Sequence, residues 1–249
     1  MKEGITKART LLFDVESFPN IGYTWGKWEQ NVIEFIEEKK IVSFAWKWLG
    51  ETKVDCLALP TFKSYKTNKK SNLSLITELH KLISKADIVV AHNVDNFDDK
   101  MANSDFITNG LTPPPPHKTV DTLKVARSKF SFNSNKLDDL AFKLGFGRKV
   151  NTGGFSLWKG CMEGNEDSWD KMIEYNKHDV VLLEKVYLKL RPWMTNHPAI
   201  ALPSSTAKCS VCSSDNLKRG GYSILKTGKY QRFHCADCGK WDRLKIKGD

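Results

Sequence analysis

The sequence has no long hydrophobic run and few cysteines. No stretch approaches the ~18 consecutive apolar residues of a membrane-spanning helix, and the basic first residues lack the apolar core of a secretory signal. The six cysteines include two C-x-x-C pairs, which favours a metal in a reducing compartment over a disulfide framework. These absences argue against membrane and secreted proteins, and we expect a soluble, cytoplasmic protein.

Positive charge is in excess and is concentrated near the C-terminus. The chain has 39 Lys and Arg against 29 Asp and Glu, a net charge of +10. Residues 204–249 contain ten Lys/Arg and four Asp/Glu, so most of this excess lies in the last fifth of the chain. A polyanionic partner explains such a distribution, and we expect nucleic acid, with DNA favoured, rather than a membrane surface.

The hydrophobic pattern predicts an α/β fold. Residues 10–15, 21–28 and 41–49 are rich in β-branched and aromatic side chains, which predicts three opening strands. Helical and strand patterns then alternate, which indicates a mixed sheet flanked by helices. The later predicted elements are a polar loop at 60–72, a helix at 73–85, a strand at 87–91, a strand within 118–123, a helix within 134–147 and a long helix at 169–190.

Composition divides the chain into two parts. The segment "RPWMTNHPAIALPSSTAK" contains three prolines and several small residues, as linkers do. We therefore predict a catalytic domain over residues 1–193, a linker over 194–207 and a small cysteine module over 208–249.

Several acidic residues lie on or next to predicted strands and helices. Asp14 and Glu16 in "LLFDVESF" share one face of a strand, because successive side chains alternate. Asp98 follows a later strand, and Tyr175 and Asp179 lie four residues apart on one helix face. Such acids could converge on one pocket only if cations neutralised them, and oxygen ligands select Mg²⁺ or Mn²⁺.

These residues resemble the motifs of the DEDD superfamily of 3′→5′ exonucleases. D-x-E is matched by Asp14 and Glu16, N-x-x-x-(F/Y)-D by Asn93, Phe97 and Asp98, and the tyrosine form Y-x-x-x-D by Tyr175 and Asp179. The resemblance covers roughly residues 8–192 and is greatest to stand-alone exonuclease-like proteins of bacteriophages. It implies a ribonuclease H-like fold, two catalytic Mg²⁺ or Mn²⁺ ions and, for a phage gene, a bacterial host cytoplasm.

The resemblance also implies roles for the matched residues. Asp14 would bridge both metals, Glu16 and Asp179 would hold the metal at the attacking water, and Asp98 would complete the site. Tyr175 would position that water, because a phenol of pKa about 10 is a poor base at neutral pH. Asn93 and Phe97 would contact the nucleic acid, whereas the neighbouring His178 is interpreted as structural.

The cysteine module resembles a zinc ribbon. Cys209, Cys212, Cys235 and Cys238 form two C-x-x-C pairs separated by 22 residues, a spacing typical of one closed tetrahedral Zn²⁺ site. The module is too small to bury much core, so the zinc would help it to fold. Its basic residues are candidate nucleic-acid contacts, namely Lys218, Arg219, Arg232 and Arg243.

Three functions remain open at this point. The first is a two-metal 3′→5′ exonuclease acting on DNA single strands or 3′ ends, with the ribbon assisting substrate binding. A structure-selective endonuclease on the same fold is the second, because metal ligands alone do not require a chain end. The third is a non-catalytic zinc-ribbon protein that binds nucleic acid.

Overall fold

The computed structural model describes residues 7–28, 30–200, 208–225 and 227–245. Residues 201–207 of the predicted linker and 246–249 of the predicted ribbon lie outside this description. None of the described helices combines the length and apolar composition needed to cross a membrane.

A five-stranded mixed sheet forms the centre of the fold. Its order is β5-β4-β1-β6-β7; β4 is antiparallel to both of its neighbours, and β1, β6 and β7 run parallel. The strands are β1 (Thr10–Phe18), β4 (Lys40–Trp48), β5 (Asp55–Ala58), β6 (Ile88–Ala91) and β7 (Lys118–Asp121). This arrangement confirms the predicted α/β fold with a mixed sheet.

Helices cover both faces of the sheet, because β1 is apolar on both sides. Leu11 and Phe13 join one hydrophobic cluster and Leu12 joins the other. The long helix α7 contributes to both, with Trp169 in the first cluster and Val186 in the second. The helices are α1 (Ser64–Thr67), α2 (Leu73–Ile83), α3 (Asp98–Thr108), α4 (Thr122–Lys129), α5 (Leu137–Lys143), α6 (Phe155–Glu163) and α7 (Glu166–Leu190).

The structure corrects several element boundaries. The predicted strand 21–28 ends at Tyr23, and β2 (Ile21–Tyr23) pairs with β3 (Glu34–Glu37) as a separate hairpin. The strand predicted within 118–123 stops at Asp121, because its carboxylate caps α4 by accepting bonds from the Leu123 and Lys124 amides. The predicted loop 60–72 contains the short helix α1, and α6 was not predicted.

The C-terminal part forms a three-stranded antiparallel sheet in the order β10-β9-β8. Its strands are β8 (Leu217–Leu225), β9 (Gly228–Cys235) and β10 (Trp241–Lys245). Among the described residues, two hydrogen bonds join it to the first part of the chain. The Ile200 amide donates to the Ser210 carbonyl at 2.8 Å, and the Lys240 ammonium donates to the Met194 carbonyl at 2.5 Å.

Candidate active site

Three of the predicted carboxylates meet beside the middle of the central sheet. Asp14 and Glu16 lie on the same face of β1, as strand alternation predicts, and α7 carries Asp179 toward them. One carboxylate oxygen from each of the three residues lies within 4.8 Å of the others. Asp179 is fully buried, so its charge is shielded from bulk solvent. The cluster can hold a cation between elements far apart in sequence.

Asp98 lies next to this cluster without belonging to it. It is the first residue of α3, is 1% exposed, and accepts a hydrogen bond of 3.3 Å from the Val15 amide in β1. Its negative charge adds to the rise in the pKa of Asp14. Asp98 therefore stands close enough to act electrostatically on Asp14 and Glu16.

The acids have a raised affinity for protons. Burial, reinforced by Asp179 and Glu16, raises the pKa of Asp14 well above its ordinary value. Burial likewise raises the pKa of Glu16 to about 8 and that of Asp98 to about 7. These carboxyl groups are thus difficult to ionise together, and a cation among them relieves that cost.

Lys149 reaches into the cluster and was missed by the sequence analysis. Its ammonium lies 2.6 Å from Asp179 Oδ2 and 3.1 Å from the Tyr175 hydroxyl. Its backbone amide donates to Asp138 at 2.7 Å, and the adjacent Arg148 pairs with Asp138 and Asp139. No motif marks this lysine, because the loop after α5 reaches the site only through the tertiary fold.

The same carboxylates influence the protonation of Lys149 and Tyr175. Burial alone would lower the pKa of Lys149, but Asp179 and Asp14 outweigh it and raise that pKa. Burial, with Asp179 and Glu16, also raises the pKa of Tyr175 above 10. Lys149 therefore stays protonated. Tyr175 also keeps its proton, so it can orient a polar atom but cannot serve as a base.

Asn176 positions Asp14 and was also missed. This fully buried amide accepts a hydrogen bond from the Ser43 hydroxyl at 2.9 Å and donates one to Asp14 Oδ2 at 2.8 Å. The bond to Ser43 leaves its amide nitrogen directed at Asp14. Its place between Tyr175 and Asp179 in "EYNKHD" is the only signal the sequence offered.

The site suits the divalent ions that its residues imply. Asp179 Oδ1 is buried and has no hydrogen-bond partner among the described residues, so it has a free lone pair to offer a ligand. The donors are carboxylate oxygens, which Mg²⁺ and Mn²⁺ prefer. Asp14, Glu16 and Asp179 fit such ions directly.

Asn93 and Phe97 are the remaining residues of the N-x-x-x-(F/Y)-D motif, called the second motif below, and they lie at one turn. Asn93 has a left-handed backbone (φ 82°), and its amide donates to Asp121 at 3.0 Å. Phe97 is 40% exposed and follows this turn. Asn93 also lines a cleft of about 620 Å³ that reaches Lys149. The second motif thus places Asp98 beside the carboxylates and Asn93 in the wall of an adjoining cleft.

Neighbouring polar residues have structural roles. His178 bonds through Nε2 to the Arg148 carbonyl at 2.9 Å, which supports the loop that carries Lys149. Asp95 pairs with Lys124 at 2.7 Å, and Asp121 caps α4. None of these three belongs to the carboxylate cluster.

The four cysteines of the C-terminal sheet form a second candidate metal centre. Cys209 and Cys238 have sulfurs 3.7 Å apart, and those of Cys212 and Cys235 are 3.6 Å apart. A tetrahedral site with Zn–S bonds of about 2.3 Å separates its sulfurs by about 3.8 Å. The four sulfurs therefore have the spacing of one zinc site.

Strand register divides the four basic candidates of this sheet. Arg243 pairs directly with Arg232, and Lys218 pairs with His234, so these side chains share one face. Arg219 pairs with Phe233 and lies on the opposite face. Three of the four candidates thus lie together, and one does not.

Comparison with known proteins agrees with this architecture. The RNase_H_2 family model of the RNase_H superfamily matches residues 29–191, which include Asp98 and Asp179 but not the acids of β1. No curated protein matches the chain. A family B DNA polymerase from the hyperthermophilic archaeon Pyrobaculum calidifontis is similar in fold, with a TM-score of 0.56 and 14% identity over 77% of this chain and 26% of the polymerase.

The chain thus spans about a quarter of the polymerase, and a likeness at that identity concerns the fold. The family match covers more than half of this chain and agrees with its mixed sheet and flanking helices. The chain belongs to the RNase H superfamily and has an RNase H-like nuclease fold.

Proposed function

We propose that this protein is a metal-dependent 3′→5′ exonuclease of the tyrosine branch of the DEDD superfamily. The observation that carries the proposal is the convergence of Asp14, Glu16 and Asp179 within 4.8 Å, on a fold whose family includes nucleases. Such a cluster has no structural advantage in a protein that does not bind cations, because it raises the pKa of its own members.

Each residue has a distinct part in the proposed reaction. Asp14, Glu16 and Asp179 would hold the divalent ions, and Asn176 orients Asp14. Two such ions, when bound, activate a water and stabilise the leaving oxygen of a phosphodiester. Tyr175 would donate a hydrogen bond from its hydroxyl that aligns the attacking water, and Asp98 would complete the metal site beside the other three acids.

DNA is the proposed substrate, taken at a single-stranded or 3′ end. The polymerase of similar fold is a DNA polymerase, and the net charge of +10 suits a polyanion. We propose a catalytic domain over residues 1–193 joined through 194–207 to a zinc ribbon over 208–249. That ribbon, with one structural Zn²⁺, would assist substrate binding.

The test is a cleavage assay on labelled strands. Purified full-length protein is incubated with Mg²⁺ or Mn²⁺ and 5′-labelled single- and double-stranded DNA and RNA, including circular and 3′-blocked forms. We expect a ladder shortening from the 3′ end, which a 3′ block prevents. Asp98→Asn should abolish cleavage, whereas Asp99→Asn, one residue further along α3, is the matched control and should remain active.

The outcomes separate the three functions. Cutting of circular single strands would replace the exonuclease with an endonuclease. Binding without cleavage under every metal condition would indicate a non-catalytic nucleic-acid-binding protein. Cleavage that Asp98→Asn leaves intact would refute the proposed site.

A further inference from the structure

One face of the C-terminal sheet combines cations with aromatic rings. Strand alternation and register place Ser223 on this face, which we call the cationic face, together with Lys218, Tyr230, Arg232, His234, Trp241 and Arg243. Among the described residues no carboxylate shares it, because Asp242 pairs with Phe233 and belongs to the opposite face. The cationic face therefore carries unbalanced positive charge.

The positions of Arg232 and Arg243 make the excess positive charge unfavourable when no anion is bound. They are direct cross-strand partners in β9 and β10, and like charges so placed destabilise a sheet. Neither guanidinium forms an ion pair with a carboxylate in the part of the chain that the structure describes. An anion lying across the two strands would remove this repulsion, and phosphate groups have the right charge.

Trp241 offers a flat surface beside the arginines. Its indole lies against the backbone of Gly220, where an added Cβ would overlap the ring. The side chain is nevertheless 54% exposed, and the His234 ring lies 5.0 Å from it, centroid to centroid. An indole that packs against the sheet on one side and is exposed to solvent on the other can stack on a nucleic-acid base.

The cationic face opens toward the nuclease fold. Arg232, Trp241 and Arg243 line a cleft of about 530 Å³ whose other wall includes Met194 and His197. Asp242 also lines this cleft, where its carboxylate accepts a hydrogen bond from Ser210 at 2.6 Å, so the cleft contains one negative charge beside the arginines. The cleft lies between the two parts of the chain.

A second cavity is lined by some of the same residues as this cleft. It has a volume of about 340 Å³, shares Met194 and His197 with the cleft, and is also lined by Asp95 and Lys124. Asp95 belongs to the turn of the second motif, between Asn93 and Asp98. The cleft beside the cationic face and the cavity at the turn that carries the second motif thus both border residues 194–197.

We propose that the cationic face binds single-stranded nucleic acid, with phosphates against Lys218, Arg232 and Arg243 and an unpaired base stacked on Trp241. This inference rests on the proposed function, since it makes the strand leading to the nuclease site the occupant. A single strand is the partner rather than a duplex, because a duplex keeps its base faces covered by neighbouring base pairs. The strand would run past residues 194–197 toward the carboxylates.

The test measures binding separately from cleavage. In an Asp14→Asn background, with zinc retained and no chelator, fluorescence anisotropy follows a labelled 20-nucleotide single strand and the corresponding duplex over a series of salt concentrations. We expect Arg232→Gln and Arg243→Gln each to weaken binding and to reduce the salt slope by about one. Arg219→Gln, on the opposite face, is the matched control and should change neither quantity.

Substitutions of Trp241 test base stacking separately from charge. We expect Trp241→Ala to weaken single-strand binding about tenfold or more without changing the salt slope, and Trp241→Phe to restore much of it. Duplex binding should change little in either variant. A zinc content of one ion per chain in each variant shows that the ribbon remains folded.

Several results would overturn the proposal. These are an equal loss in Arg219→Gln and Arg232→Gln, unchanged single-strand binding in Trp241→Ala with zinc retained, or tighter binding of the duplex by the parent protein. Failure of the exonuclease proposal would look different. In that case the parent chain would cleave nothing with Mn²⁺, while the cationic-face variants would still lose single-strand binding.

Discussion

The Lys149 ammonium lies 2.6 Å from Asp179 Oδ2, so a lysine occupies the position of a counter-ion in the carboxylate cluster. Asp179 is fully buried, whereas the Lys149 side chain is 29% exposed, so solvent reaches the lysine but not the acid. The same carboxylate is a proposed ligand of a divalent ion. We therefore expect the lysine and a divalent ion to compete for Asp179.

Lys149→Met tests this competition. We expect the variant to bind Mn²⁺ several-fold more tightly, because a competing cation is removed, and to unfold at a lower temperature when metal-free, because the acids lose their counter-ion. Calorimetric Mn²⁺ titration and thermal unfolding measure the two effects. The exposed Lys143→Met serves as the control, and an unchanged Mn²⁺ affinity in Lys149→Met would argue against competition.

Asp179→Asn should abolish cleavage without unfolding the protein. The substitution removes a buried charge and a proposed metal ligand but keeps the size of the side chain. Turnover should fall below detection, and the unfolding temperature of the metal-free protein should stay equal or rise. Asp170→Asn, on the exposed side of α7, should leave both quantities unchanged, and residual cleavage near the parent rate in Asp179→Asn would contradict the metal site.

Tyr175→Phe should slow the reaction but not stop it. The ring and its packing against Trp158 remain, whereas the hydroxyl that orients the water is lost. Orienting and acid–base groups contribute typically about 10²–10⁴-fold to the rate, so a measurable residue of activity should persist. His178→Ala is the comparison, because His178 supports the Arg148 carbonyl and should affect kcat far less. A larger loss in His178→Ala would reverse these roles.

Stability of the metal-free protein should decrease as pH rises from about 4.5 toward 8. Burial raises the pKa of Glu16 from 4.5 to about 8 and that of Asp98 from 3.8 to about 7. The folded state therefore binds more protons than the unfolded state in this window, and each proton lost destabilises it. Thermal unfolding at several pH values should show this decline, and the stabilisation by Mn²⁺ should grow over the same range.

Removal of zinc should unfold the C-terminal sheet selectively. If the small module depends on zinc to fold, as we propose, Cys238→Ser should lower the zinc content, lose the single-strand affinity and leave cleavage of short substrates largely intact. Cys161→Ser, at a buried cysteine outside the four-sulfur cluster, is the control for thiol loss and should keep its zinc. Full affinity in zinc-free Cys238→Ser would exclude the ribbon from substrate binding.

The sequence determined the features that depend on local spacing. Alternation in β1 predicted that Asp14 and Glu16 share a face, and two C-x-x-C pairs predicted the four-cysteine cluster. The order of strands and helices predicted a mixed sheet, because alternating periodicity is a local property. The boundary at Asp121 was missed, since a capping carboxylate ends a strand without changing its hydrophobic pattern.

Only the tertiary structure decided which distant side chains meet. Lys149 reaches Asp179 because Arg148 and the Lys149 amide tie their loop to α5, and Asn176 reaches Asp14 because α7 crosses β1. Register likewise separated Arg219 from Arg232 and Arg243, which a charge count treats alike. These relationships depend on packing between elements up to 162 residues apart, and no local pattern encodes such contacts.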